Sequence, residues 1–165
     1  MFREVDLSGS NARGRLLLHS MPGSFEGIGD FIVAMGKDDI YCILCLASDA
    51  EIAWKSPLYA EALKINDYSK CVVKFPIEDY GVPGDLTAFR GVTDILVATL
   101  DAGKPAMIHC GAGVGRTGTV AICLLTALGF TVEEATRRVL EASSEPEEDE
   151  QWEFIERFAE AAGDD

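Results

Sequence analysis

A chain of 165 residues, 48% of them hydrophobic, has material for one packed core and too little for two, so residues 1–165 read as a single domain. Its 28 acids against 14 bases leave a net charge of −14, which argues against nucleic acid and against anionic membrane surfaces as partners. Five cysteines (Cys42, Cys45, Cys71, Cys110 and Cys123), no signal peptide and no apolar run of membrane-spanning length fit reduced thiols in the cytoplasm.

Phe2 to Leu7 and Arg15 to His19 read as two short strands around the turn Ser8-Gly9-Ser10-Asn11. Ser20-Met21-Pro22-Gly23 is a turn. Phe25, Ile28, Phe31, Ile32 and Met35 fall at helical spacing and predict a helix from Phe25 to Met35. Ile40 to Leu46 is a continuous apolar strand, so it is expected in the middle of a sheet, covered on both faces. It contains Cys42-Ile43-Leu44-Cys45. Residues three apart on a strand point to opposite faces, which argues against a shared metal or a local disulfide there.

Ser56-Pro57 opens a predicted helix to Ile65. Cys71 to Phe75 is another strand, and Asp85 caps a helix from Leu86 to Ala102. After Gly103-Lys104-Pro105 comes the apolar strand Ala106 to Ile108. Three helical stretches follow: Thr117 to Leu128, Thr131 to Ala142 and about Asp149 to Ala162. The acid run from Glu145 to Glu150 and the end Gly163-Asp164-Asp165 read as a solvated face and a frayed terminus. Alternating strands and helices imply an α/β fold, a central mostly parallel sheet flanked by helices. In such folds ligands bind beyond the carboxyl ends of the strands.

Chemistry concentrates at one such end. His109-Cys110-Gly111-Ala112-Gly113-Val114-Gly115-Arg116-Thr117 is a glycine-rich loop between a buried strand and an apolar helix. A loop in that place aims backbone amides at one point, and the helix N-terminus adds its positive end. The amides of Gly111, Ala112, Gly113, Val114, Gly115 and Arg116 are then candidates to cradle one phosphate. Arg116 adds a planar fork able to bind two phosphate oxygens. The amides, the dipole and the guanidinium all favour the thiolate of Cys110, and a thiolate beside a phosphate clamp implies attack on phosphorus. Gly113 to Gly118 also spells the dinucleotide-binding G-x-G-x-x-G, but that reading needs a second strand after the helix, where Thr131 to Ala142 is helical again.

The second chemical segment is Pro76-Ile77-Glu78-Asp79-Tyr80-Gly81-Val82-Pro83, a punctuated loop with two adjacent acids after a strand. Expelling an alkoxide or phenoxide calls for a proton on the leaving oxygen, and a carboxylic acid above the phosphate would supply it.

These two segments together resemble the cysteine-based protein tyrosine phosphatase superfamily, small dual-specificity type, and within it the cyclin-kinase-associated phosphatase group. The likeness covers roughly Leu16 to Ala159 and is strong in the two loops. It implies Cys110 as nucleophile, Arg116 as phosphate-binding arginine, and Thr117 as the hydroxyl easing departure of the thiolate. His109 would fix the loop from beneath. Asp79, rather than Glu78, would be the general acid, and Gln151 would help orient the hydrolytic water. If the Ile40 to Leu46 strand lies beside the motif strand, Cys45 and Cys110 both stand at carboxyl ends. Strands ~4.8 Å apart are within reach of a disulfide, and some relatives carry a resolving cysteine at the equivalent place. The resemblance implies two-step phosphomonoester hydrolysis through a phosphocysteine, with no metal or organic cofactor. The expected substrate is a phosphorylated protein, at tyrosine or at both tyrosine and serine/threonine. A phosphoinositide or small soluble phosphomonoester, or a non-catalytic phosphoprotein-binding role, are the alternatives. Phosphate, vanadate or tungstate would occupy the site.

Overall fold

Short apolar runs in this chain pair edge to edge, and the helices between them cover both sides of the resulting sheet. The computed structural model describes residues 2–65 and 71–162. In chain order the elements are β1 (Arg3–Val5), β2 (Leu16–His19), α1 (Ile28–Lys37), β3 (Cys42–Cys45), α2 (Asp49–Lys55) and α3 (Pro57–Ile65). Then come β4 (Cys71–Lys74), α4 (Leu86–Asp101), β5 (Ala106–His109), α5 (Gly115–Ala127), α6 (Val132–Glu141) and α7 (Asp149–Ala162). The strand order is β1-β2-β5-β3-β4. β1 runs antiparallel to β2, and the other neighbours are parallel. The expected α/β architecture is the one observed.

The three inner strands β2, β5 and β3 are buried along their whole length, as unbroken apolar runs in a parallel sheet require. The period of two sorts their side chains. Leu16, Leu18, Cys42, Leu44, Ala106 and Ile108 share a core with buried residues of α4 to α7. Leu17, Ile43, Cys45 and Met107 face the other way, onto Phe31 and Met35 of α1, Ile52 of α2 and Tyr59 of α3. The two cysteines of Cys42-Ile43-Leu44-Cys45 therefore lie in different cores.

Helix starts follow capping chemistry. Ser48 Oγ accepts from the Glu51 amide, Asp85 from that of Ala88, and Thr131 Oγ1 from that of Glu134. Three expectations need correction. α1 begins at Ile28, not Phe25. Ser24 N–H returns to the Met21 carbonyl and Gly23 N–H to the Glu26 carboxylate, so the chain is still turning there and Phe25 is left 78% exposed. α2 was not anticipated: seven residues carrying one buried side chain, Ile52, give no readable period. Ser56 is the C-cap of α2, and its hydroxyl donates to the Pro22 carbonyl at 2.7 Å instead of capping α3. The terminal residues Gly163, Asp164 and Asp165 lie outside the described residues.

An aromatic cluster ties the edge of the sheet to the last helix. The fully buried Phe89 of α4 meets Phe75, Phe154 and Phe158 at centroid distances of 5.6, 5.5 and 5.4 Å. Phe89→Ala is expected to cost about 3–5 kcal/mol of stability in urea unfolding. A loss below about 1 kcal/mol would show that the cluster closes over the cavity and does not hold α4 in place.

Candidate active site

The loop after β5 carries Cys110 and Arg116 into the first turn of α5, both nearly inaccessible at 2% and 3% exposure. Its shape is set by where its carbonyls go. His109 Nδ1 reaches the Cys110 carbonyl at 3.1 Å, the Met21 amide donates to that of Gly111 at 2.8 Å, and Arg3 and Ser144 both donate to that of Gly113 at 2.7 Å. No peptide bond among the described residues is cis. In a trans peptide the N–H points away from the C=O. Three carbonyls drawn outward therefore turn the amides of Gly111, Ala112 and Val114 inward. The Gly113 amide donates to Cys110 Sγ at 3.2 Å. Gly113 has φ +77°, and a Cβ there would collide with the His19 carbonyl, so the loop needs glycine at this point.

His109 lies on the opposite side of the sheet from Cys110. Its ring is locked by the Tyr59 hydroxyl, 2.9 Å from Nε2. Burial pushes its pKa down to about 4, so the ring is neutral near pH 7. Nδ1 must then carry the proton, since a carbonyl only accepts, and Nε2 accepts from Tyr59.

Arg116 is held by a neighbour absent from the sequence-based list. Glu51 of α2 binds it as a fork, Oε2 to Nη1 at 2.8 Å and Oε1 to Nη2 at 2.9 Å. The Ile77 carbonyl takes a further bond from Nη1 at 3.0 Å. The bond from Arg116 holds the Glu51 carboxyl down at about 2, with burial opposing it and Lys55 assisting. Burial works against the charge of Arg116, but Glu51, Cys110 and Asp79 together hold its pKa above the ordinary value. Ser48-Asp49-Ala50-Glu51 has the Ser-x-x-Glu pattern of a capping box, which was the available signal for this helix. Nothing in that pattern sends the glutamate to an arginine 65 residues away.

Asp79 also reaches this centre. Its Oδ1 is 2.8 Å from Arg116 Nη2, and its Oδ2 is 4.0 Å from Lys55 Nζ, although the side chain remains 57% exposed. Lys55 itself pairs with Glu51 at 2.8 Å, and its Nζ lies 3.0 Å from where a Gly111 Cβ would stand. α2 thus brings one acid and one base to the mouth of the loop. A cleft of about 600 Å³ opens beside it, lined by Ser48, Glu51, Pro76, Ile77, Glu78 and Asp79. Tyr80, directly after Asp79, adopts a left-handed φ of +62°, uncommon for a side chain of that size.

The remaining expected residues divide. Thr117 Oγ1 is buried with no hydrogen-bond partner among the described residues, an unused hydroxyl in the loop's own helix turn. Gln151 is fully buried, and its amide is engaged at both ends. Oε1 accepts from the Glu147 amide at 2.8 Å, and Nε2 donates to the Gly81 carbonyl at 3.1 Å. It ties α7 to the loop of Asp79. Cys45 is not brought together with Cys110. The strands are neighbours as expected, but Cys45 is in register with His109, and Cys110, one residue further, faces the other core. Cys45 instead approaches the Ala47 carbonyl at 3.6 Å, and burial raises its thiol to about 11.

A buried cysteine and arginine in a strand–loop–helix turn, on a five-stranded mostly parallel sheet, define a small cysteine-phosphatase fold. Solved structures of this class superpose on nearly the whole chain. Kinase-associated phosphatase, with its catalytic-site cysteine replaced by serine, is 22% identical, with a TM-score of 0.84 over 99% of this chain and 96% of that one. Tk-PTP in its active form is 21% identical, with a TM-score of 0.72 over 96% and 97%. PTPMT1 is 15% identical, with a TM-score of 0.72 over 99% and 97%. Residues 12–156 match the family model described as PTP-SAK, "Swiss Army Knife protein, DSP-PTPase phosphatase domain". The chain belongs to that family of cysteine-based phosphatases.

The buried groups give the fold an acid limit. His109 is depressed from 6.5 to about 4, so the unfolded chain takes up a proton that the folded form refuses. Stability is expected to fall as pH drops through 6.5 toward 4, by a few kcal/mol in order of magnitude. Glu51, depressed from 4.5 to about 2, continues the loss below pH 4.5. Urea midpoints measured from pH 7 to pH 4 check this. A flat profile would mean that His109 is charged in the fold.

Proposed function

We propose that this protein hydrolyses phosphomonoesters on proteins, at tyrosine or at both tyrosine and serine/threonine, through a phosphocysteine. The observation that carries the reading is the convergence on one point of Cys110, the inward amides, the Arg116 fork and the Asp79 carboxyl 2.8 Å from it. Sulfur of Cys110 attacks phosphorus as the ester P–O bond breaks. Arg116 and the loop amides hold the equatorial oxygens, whose charge grows in the transition state. The phosphate takes over the guanidinium edge from Asp79, which takes up a proton as that ion pair opens and passes it to the leaving oxygen. Water next attacks the phosphocysteine and returns a proton to Asp79. Thr117 donates its free hydroxyl to the departing sulfur.

The preference for a protein substrate rests on charge. The chain carries −14, and the loop positions Gly111 and Val114 bear no cation to meet a second phosphate. One protein with this fold, PTPMT1, is known in complex with PI(5)P, so the test includes that class. No helix among the described residues is long and apolar enough to cross a membrane. None of the five cysteines is in a disulfide, which suits a reducing compartment, and we place the protein in the cytoplasm.

Phosphopeptides, a phosphoinositide, a soluble sugar phosphate and an aryl phosphate form the panel. Cys110→Ser is expected to abolish hydrolysis while still binding vanadate or tungstate, and turnover by that variant would refute the nucleophile. Asp79→Asn is expected to slow phosphoserine peptides by ~10²–10⁴-fold and activated aryl phosphates much less, since these need no proton. Preference for the phosphoinositide over all peptides would overturn the substrate class and leave the mechanism standing.

A further inference from the structure

Arg3 is a half-buried guanidinium in a strongly acidic chain, yet among the described residues no carboxylate lies within ion-pair distance of it. Its bonds all go to neutral oxygens. Nη2 donates to the Gly113 carbonyl at 2.7 Å. Nη1 donates to the Ser143 carbonyl at 2.5 Å, to Ser144 Oγ at 3.1 Å and, more weakly, to the Ala142 carbonyl at 3.4 Å. The other arginine of the site, Arg116, has Glu51 and Asp79; Arg3 has no equivalent among the described residues.

Its place explains what the charge faces. The Gly113 peptide that accepts from Arg3 belongs to the residue whose own N–H donates to Cys110 Sγ. One residue of backbone separates the guanidinium from the sulfur. Arg3 meets the loop at the outward-drawn Gly113 carbonyl, whereas Arg116 and Lys55 approach it at Gly111. Burial lowers its pKa, and the charge of Cys110 opposes that. The anchor for Arg3 is the turn between α6 and α7, where Ser143 adopts a left-handed φ of +56°. Ser144 binds the same Gly113 carbonyl without bringing any charge, so the outward pull on that carbonyl has a neutral source as well.

We infer that Arg3 is a positioning residue whose uncompensated charge stabilises the Cys110 thiolate through the Gly113 peptide it holds. The counter-ion missing from its surroundings is the sulfur. Arg3 does not touch substrate, and it stands outside residues 12–156, the part of the chain matched by the family model. The inference rests on the reading of Cys110 as nucleophile.

The test is the pH dependence of iodoacetamide alkylation at Cys110, followed by peptide mapping, beside kcat/KM over the same range. Arg3→Gln and Arg3→Met both remove the charge, and either one that keeps the fold by circular dichroism suffices. The alkylation midpoint is expected to move to higher pH by about one unit, roughly a tenfold loss of reactive sulfur below it. kcat/KM is expected to fall most on the acid limb and least on the plateau. Arg3→Lys keeps the charge and is expected to recover most of the shift. Ser144→Ala removes a bond to Gly113 and one of the several bonds to Arg3, but no charge, and its midpoint is expected to match wild type. If the neutral variants alkylate with the wild-type midpoint and lose only melting temperature, or if Ser144→Ala shifts as far as they do, Arg3 is a staple for the turn and the inference is overturned. Wild-type protein that keeps its activity after Cys110 is alkylated would refute the nucleophile itself, which is a separate result.

Discussion

A guanidinium 3% exposed is stable only with its donors satisfied and its charge answered, and the functional end of this fold is arranged around that demand at Arg116. Two segments supply the answer: α2 gives Glu51, and the loop after β4 gives the Ile77 carbonyl and, two residues later, Asp79. The fork from Glu51 occupies one edge and fixes the plane of the guanidinium. Asp79 meets the remaining side at Nη2 through a largely exposed carboxylate, which a phosphate dianion can displace. Glu51, mostly covered and paired with Lys55 as well, is far harder to displace. One acid therefore holds the arginine in place, and the other yields its position.

The phosphate loop depends on a second constraint, the outward pull on its carbonyls. His109, Met21, Arg3 and Ser144 come from the motif strand, the turn after β2, the edge strand and the α6–α7 turn. None of these bonds touches a ligand. Each fixes one peptide plane, and the plane fixes the N–H on its far side. A chain with net charge −14 cannot attract an anion by its overall field. The proposed phosphate site would do so by orienting local dipoles, which are held by contacts from most of the chain's length.

What could be read from the sequence was whatever is local. The spacing from Cys110 to Arg116, the glycines between them, the alternation of strands and helices, and the cap at Asp85 all act within a few residues, and all appear in the fold as expected. The groups missed act at long range. Glu51 meets Arg116 across 65 positions, and Arg3 meets Gly113 across 110. Cys45 is the instructive case. The adjacency of its strand to the motif strand was right, but an offset of one residue in register reverses the face, so proximity of backbone gave no proximity of sulfur. For Gln151 the resemblance implies a water-orienting role. Its burial, and its bond to Gly81, follow from how α7 packs, which the sequence does not display.

That bond bears on how the acid works. The loop after β4 is pinned before Asp79, where Ile77 N–H donates to the Leu46 carbonyl and the Ile77 carbonyl accepts from Arg116. It is pinned again after Asp79, where Gly81 N–H donates to the Glu78 carbonyl and the Gly81 carbonyl accepts from the buried Gln151. Only Glu78, Asp79 and Tyr80 lie between the two anchors, and Tyr80 takes up the left-handed turn needed to close so short a span. A backbone held that closely leaves little room for a swinging loop. The exposed Asp79 side chain retains its own rotations, which are enough to exchange Arg116 Nη2 for an ester oxygen on the same phosphate. If Asp79 acts as proposed, proton delivery is a rotamer change on a fixed frame, and the helix that carries Gln151 helps to build that frame.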